Sequence, residues 1–392
     1  MARINGKKII FFTHGKVNPY EESGMSRVVY YRAKYLRKMG FRCEVVSVYD
    51  GVKEFKIYER DEFVKIKLFP RVFSPYSRGK NSVINYFKQN IDKILLVDIN
   101  LMWYLDKVPI VKLLKKSGVP YVVTAHGAYT EDKIKLKWWK KVPAKYLYEL
   151  YVLNNSSGVI AQTPEELSSL REFGVNVKIF KSSIGIDKGE VINEANMKYG
   201  MSEKVVFGFV GNIVPVKNLH NLILAINLLP QTVKQKIQVQ LVGPTNRDKK
   251  YFNILKQLIL KNGLKDIIHF LGPLYRDEKR EFLKKLDCYI HVSTSETISL
   301  AALEAMAVGK PLIISRTSHV SYLYPEGFFI MVEPWYDQIA EGILRFLSLP
   351  LEKRKEMGKN ALKTVLNKFS WDKVVEGYVE IIHELTAKYY NR

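Results

Sequence analysis

Two rhythms of apolar residues alternate along this chain. In the first half, KKIIFFTH, FRCEVVSV, ILLVDI, YVVTAHG and SSGVIAQT are short, nearly unbroken apolar runs. Runs of this kind, without in-out alternation, are how strands buried on both faces of a parallel sheet read. Between the first two lies SRVVYYRAKYLRKMG, with helical spacing and a stop at Gly40. Strand, helix, strand in that order predicts a βαβ unit. The polar stretch 192–204 breaks the pattern, which restarts with VVFGFVGNIVPVKNLHNLILAINLLP: strand, glycine-bearing loop, amphipathic helix. IQVQLVG, IIHFLG, CYIHVS and PLIIS follow as strands with helical spacing between them, and SWDKVVEGYVEIIHELTAKYYNR is a strongly periodic helix.

The pattern predicts an α/β protein with two Rossmann-like domains, residues 1–190 and 204–368, and a helix 369–392 packing back toward the first. Two such domains facing each other would form a cleft, with ligands where loops leave the carboxyl ends of the strands. Those loops are THGKVNPYEESGMS and TAHGAY in the first half, and GNIVPVKN, GPTNRDKK, GPLYRDE and STSETIS in the second.

The second half carries the candidate chemistry. In SETISLAALEAMAVGKP, Glu296 and Glu304 stand eight residues apart in an otherwise small and apolar stretch. Read as one helix, that spacing puts Glu296 at or just before the helix start and Glu304 two turns in, about 12 Å of rise away. A lone buried carboxylate is costly unless paired. Either these acids serve the helix start and a nearby lysine, or they bind hydroxyl groups. Free amides and the positive dipole end around Thr297–Leu300 suit a phosphate. Lys217, in the loop after VVFGFV, is a natural phosphate partner, and Gly208 and Gly211 would let backbone approach a ligand. The spacing is not GxGxxG, which weakens a nicotinamide reading.

Glu296, seven residues, Glu304 and then AMAVGKPLI resembles the E-x7-E signature of retaining glycosyltransferases with the GT-B fold, family 4. FGFVGNIVPVKNLHNLILAI resembles that family's strand, phosphate loop and helix; LVGP, IIHFLGPLYRDE, LDCYIHVSTSE and FSWDKVVEGY follow in the family's order. ESGMSRVVYYRAKYLRKMGF, TAHGAY and IGID are similar to first-domain features. The resemblance implies a nucleotide-sugar donor, a UDP- or GDP-sugar, with no tightly bound cofactor and no metal at the donor site. It implies that Glu304 binds the ribose, Glu296 the sugar, and Lys217 the diphosphate, with Gly211, Asn212, Thr297, Ile298, Ser299 and Leu300 in the donor site. Gly24 would lie beside the phosphates, and His126 near the sugar from the opposite domain. His126, Glu296 and Lys217 would be the catalytic group. The implied reaction is transfer to an acceptor hydroxyl with retention, the departing diphosphate helping to deprotonate the acceptor. A non-catalytic nucleotide-sugar-binding partner subunit and a nucleotide-sugar epimerase are the alternatives.

The chain departs from the family at Asn212, usually Arg, at Val216, usually Glu, and at Thr297, Ile298 and Ser299, where the family is glycine-rich. Arg247 or Lys249 is a candidate substitute for the missing phosphate contact. In RTSHVSYLYPEG, His319 and Tyr322 are candidate donor contacts or plain loop residues. His14 reads either way, His291 reads as structural, and Trp335 and Trp371 as packing residues.

Composition adds a partner. The 392 residues carry a formal charge of +23, and residues 1–187 alone have 33 Lys and Arg against 18 Asp and Glu. KIKLKWWKKVPAKYLY, Lys133–Tyr148, has six lysines and no acid, interleaved with aromatics. That is the composition of a segment lying on an anionic membrane, with Lys137, Trp138, Trp139, Lys140 and Lys141 facing it. Nucleic acid or a solvated lysine face with its aromatics in the core are the alternatives, and nucleic acid is not the expected partner. Pro143 is expected to interrupt any long helix there. A glycan or lipid-linked acceptor fits a charge excess in the acceptor-side domain. Only two cysteines occur, far apart, and no run is long enough to span a membrane. MARINGKKIIFFTHG reads as a first strand rather than a signal peptide. The expected location is cytoplasmic, peripheral at the cytoplasmic membrane face.

Overall fold

The computed structural model describes residues 6–18, 24–200, 203–318 and 327–387. His319 and Tyr322 lie outside the described residues. The chain forms two compact units: one runs to Gly185 and takes back the chain from Trp371, and the other is Ile186–Ser370.

The first unit holds β1 (Lys8–His14), β2 (Cys43–Val48), β3 (Lys56–Glu59), β4 (Lys65–Phe69), β5 (Ile94–Ile99), β6 (Tyr121–Thr124), β7 (Gly158–Ala161) and β8 (Ile179–Lys181). They form one sheet in the order β3-β4-β2-β1-β5-β6-β7-β8. All neighbours pair in parallel except β3, which runs antiparallel to β4 at the edge. Every residue of β5, β6 and β7 is buried, as their unbroken apolar runs require. The one polar residue of β5 is Asp98, buried like the rest. Its carboxylate meets the buried Arg32 guanidinium at 3.1 Å and accepts from Thr124 at 2.7 Å and from Tyr378 Oη at 2.8 Å. Tyr378 lies on helix Trp371–Thr386, whose apolar stripe is turned into this unit. Gly185 admits that helix: a Cβ there would come within 2.7 Å of the Trp371 ring.

The second unit holds β9 (Val205–Val210), β10 (Ile237–Val242), β11 (Ile268–Gly272), β12 (Cys288–His291), β13 (Leu312–Ser315) and β14 (Phe329–Val332). The order is β11-β10-β9-β12-β13-β14, all parallel. Stepping reverses direction between β9 and β12. In an open sheet of this kind the crevice outside the carboxyl ends at that reversal is where ligands bind. Loops there lie close together. Gly243, at φ +152°, could carry no side chain, since a Cβ would sit 1.8 Å from the Gly211 carbonyl oxygen.

Three expectations need correction. Gly208 serves packing rather than ligand approach: the space of its missing side chain is filled by Leu286. Pro143 does not interrupt the helix, which runs Trp138–Ala144 and continues through a π turn, Lys145–Glu149, into Leu150–Asn154. Trp371 is buried as expected, but Trp335 is exposed at the start of helix Tyr336–Ser348.

Candidate functional site

Lys217 ends a short 3-10 turn, Pro215–Lys217, in the loop after β9. Glu296 sits in the loop after β12. Two hydrogen bonds hold these loops side by side, from the Thr294 N–H and hydroxyl to the Val216 carbonyl, at 2.9 and 3.3 Å. Asn218, buried next to Lys217, donates to the carbonyls of Val292 and Pro334 and fixes the turn from the other side. The result is an ion pair between the Lys217 ammonium and the Glu296 carboxylate at the point where the sheet reverses.

Beneath that pair lies His291. Its Nε2 is 3.5 Å from Glu296 Oε2 and 3.2 Å from Ser293 Oγ, and its Nδ1 is 3.4 Å from Ser299 Oγ. Burial keeps the imidazole neutral by lowering its pKa. Burial also opposes ionisation of Glu296, but His291 and the Lys217 charge overcome that and hold the carboxyl down at about 2. Glu296 is thus a carboxylate at any physiological pH, and an anion competing for Lys217 would free it to accept from other donors.

Ser299 caps helix Leu300–Ala307, accepting from the Ala302 N–H at 3.2 Å. This corrects the helix geometry read from spacing. Glu296 precedes the cap in irregular backbone, and Glu304 is the fifth helical residue, little more than one turn in. Of the three residues that depart from the glycine-rich pattern, Ile298 and Ser299 are buried and Thr297 is half-buried. Glu304 is also buried, and Lys279 on helix Arg276–Lys285 reaches its Oε1 at 2.6 Å. So each glutamate has a lysine, and each pair leaves its lysine partly open to solvent. Gly211 and Asn212 lie beside the β10 loop, with the Gly211 N–H bonded to Val242 O at 3.0 Å. Asn212 Oδ1 is buried without a partner among the described residues. Arg247 and Lys249 are exposed around Asp248, which caps helix Lys249–Lys261. No three His, Cys, Asp or Glu side chains gather for a metal among the described residues.

In the first unit, His126 follows β6 in the left-handed region at φ 50°. Its Nε2 lies 2.6 Å from Asn100 Oδ1, and Gln162 donates to Nδ1 at 3.2 Å. Those partners fix the Nε2–H tautomer, and burial holds the ring neutral with a pKa of about 3. Glu166 clamps the same loop, accepting from the Gly127 N–H and, at 2.6 Å, from the Gln162 N–H. Burial raises its carboxyl to about 7. Gly24 opens helix Gly24–Lys38. His14 packs against Tyr104 with ring centroids 4.5 Å apart and the rings tilted by 31°.

The structure brings together Lys217, Glu296 and His291, and pairs Glu304 with Lys279. His291, Lys279, Asn100, Gln162 and Glu166 were not singled out as functional in the sequence. Glu166 alone left a signal: Thr163-Pro-Glu-Glu166 is a capping-box pattern, and Thr163 does accept from the Glu166 N–H at 3.1 Å. Its carboxylate turns to the His126 loop instead of back to the cap.

Comparison with known proteins places two family descriptions along the chain: "Glycosyltransferase Family 4" over residues 23–188 and "Glycosyl transferases group 1" over residues 193–364. An uncharacterized glycosyltransferase of Methanocaldococcus jannaschii is 27% identical over 84% of this chain and 88% of its own length. An MMP alpha-(1->4)-mannosyltransferase of Mycolicibacterium hassiacum is 26% identical over 70% of this chain and 68% of its own. Among solved structures, sucrose-phosphate synthase from Thermosynechococcus elongatus superposes with a TM-score of 0.77 at 17% identity, covering 97% of this chain and 100% of that one. HepE of Anabaena, in complex with UDP, gives 0.75 at 18%, covering 96% and 100%.

Proposed function

Since the chain belongs to the family 4 glycosyltransferases of GT-B fold, we propose that it moves a sugar from a nucleotide-sugar donor to an acceptor hydroxyl with retention at the anomeric carbon. The observation that carries this is the Lys217–Glu296 pair at the sheet's reversal, with Glu304 on the helix just beyond. In this reading the donor diphosphate displaces Glu296 from Lys217 and takes the amides of Thr297, Ile298 and Ser299. Glu296, freed and ionised, accepts hydrogen bonds from the sugar, while Glu304 accepts from the ribose. As the bond from the anomeric carbon to the phosphate oxygen breaks, the acceptor oxygen bonds to that carbon on the same face, and its proton passes to the leaving phosphate. The chain's task is to stabilise charge developing on that phosphate, which Lys217 and the helix start can do. Solved complexes of HepE with UDP and UDP-glucose support a uridine donor. His126, with both ring nitrogens committed, contributes scaffolding in this reading. The lysine- and tryptophan-bearing segment supports a lipid-linked acceptor and a peripheral place at the cytoplasmic membrane face.

A thermal-shift panel of UDP-, GDP-, ADP- and dTDP-sugars tests the donor. One of them should raise the melting temperature of the wild-type protein and leave Glu304→Ala unmoved. No shift with any of them, or equal shifts in both proteins, would sink the assignment. NMR of the product would show the donor's anomeric configuration; inversion would remove the retaining mechanism.

A further inference from the structure

Helix Trp138–Ala144 and the π turn that continues it, Lys145–Glu149, are amphipathic the wrong way round. Positions 138, 142 and 146 form one row and 139, 143 and 147 the next. They hold Trp138, Val142, Tyr146, Trp139, Pro143 and Leu147. All six are exposed, the largest at 61% for Trp138, 59% for Trp139, 70% for Tyr146 and 78% for Leu147. The polar side turns inward. Glu149 is fully buried, receives Lys107 at 2.6 Å and Tyr129 Oη at 2.8 Å, and accepts from the Trp103 N–H at 2.7 Å. Lys141 bonds to the Lys133 carbonyl and lies 5.2 Å from the Trp103 ring, and Lys145 lies 4.6 Å from the Phe173 ring. The segment is therefore held by its charged side, and its apolar side is left to water.

An aromatic face of this size on a rigidly held helix calls for a partner. Its border names the partner's charge. Lys137 and Lys140 are exposed beside it, while Lys135 is paired with Glu131, and no acid occurs between Lys133 and Tyr148. A second copy of the chain would bring those lysines against their own kind, which opposes a symmetric dimer here. We infer that the outward face of Trp138–Leu147 docks on the headgroup layer of an anionic lipid bilayer. The indoles and Tyr146 enter the interface, where an apolar body and a polar tip are both satisfied. Leu136 and Leu147 enter the acyl boundary, and the lysines meet lipid phosphates. This face rests on the proposed glycosyl transfer only for its purpose, bringing the protein to a lipid-linked acceptor; the docking involves no transfer step.

Co-sedimentation of the full chain with two kinds of vesicle tests it: phosphatidylcholine alone, and phosphatidylcholine mixed with phosphatidylglycerol. The wild-type protein should bind the anionic vesicles at least about ten-fold more tightly, and less so as salt rises. Trp138→Ala/Trp139→Ala and Lys137→Glu/Lys140→Glu should each lose about ten-fold or more of that binding. Both pairs point away from the packed side, so their thermal melts and their shifts with a nucleotide-sugar should match wild type. That donor shift separates failure here from failure of the transferase reading. Vesicle binding that survives both pairs, or no binding by wild type, overturns the proposal. So does a wild-type dimer that the tryptophan pair dissociates, or RNA binding, without vesicle binding, that the same substitutions abolish.

Discussion

The carboxyl edges of the two sheets use charge in opposite ways. After β9 and β12, Glu296 and Lys217 are ionised partners with the lysine partly open to solvent. After β5 and β6, His126 is neutral with each ring nitrogen already bonded. The first arrangement can exchange a partner for a ligand without stranding a charge. The second cannot accept a new partner without breaking a buried network. The two edges of the same architecture thus differ in which polar groups are replaceable, and the proposed function assigns binding to the first and scaffolding to the second.

The largest expected effect would sharpen this contrast. Lys217→Ala should lower UDP affinity by about 100-fold, the scale for removing one partner of a charged, half-buried contact. Titration calorimetry reads it, and an unchanged affinity would erase the distinction between the edges. Next, His126→Ala should leave UDP affinity within about two-fold but destabilise the first unit by about 2 kcal/mol, since Asn100 and Gln162 lose their partner. Hydrogen exchange resolves the two units, and a loss of affinity as large as that of Lys217→Ala would break the comparison. His291→Leu should be milder: the Glu296 carboxyl, held at about 2, should rise toward the ordinary value near 4. Carbon-13 NMR of Glu296 follows it, with the Lys217 contact intact.

The smallest effect concerns acid. His126 has its folded pKa depressed to about 3, so its contribution to stability is present above about 6.5 and is lost as pH falls toward 3. Glu166 has its carboxyl raised to about 7, so it contributes the other way, stabilising as pH falls from about 7 toward about 4.3. The two oppose each other in the wild-type first unit. Glu166→Gln should expose the histidine's loss, giving a steeper fall in first-unit stability below about pH 6.5 than in wild type. Parallel pH profiles in the two proteins would remove the coupling.

The strands nearest these edges were legible because parallel strands are buried on both faces and leave long apolar runs; ILLVDI coincides with β5 residue for residue. The edge strand β3 was not, because, with Lys56 and Glu59 at its ends, it is mostly exposed. Glu296, Glu304 and Lys217 were legible through charge placed in apolar or glycine-bearing surroundings. Lys279 was not: it meets Glu304 across 25 residues, from an ordinary charged surface helix. His291 looked like a strand residue because it is one, and only the packing beneath Glu296 gives it a second part. Pro143 misled because a proline can be carried as the sixth residue of a helix at the cost of one backbone hydrogen bond, and here the helical path runs on through the π turn.

The bond from Tyr378 to Asp98 has a consequence for the order in which the protein matures. The second unit is one continuous stretch, so it can close as soon as it leaves the ribosome. The first unit cannot. Its sheet is synthesised early, yet the hydroxyl that completes the Arg32–Asp98 network and the indole that fills the space over Gly185 arrive only after the whole second unit has been made. For that interval the groove that takes the helix stays open, and Asp98 is held by Arg32, Thr124 and Asn100 without the tyrosine. Completion of the first unit is thereby timed by synthesis of the second.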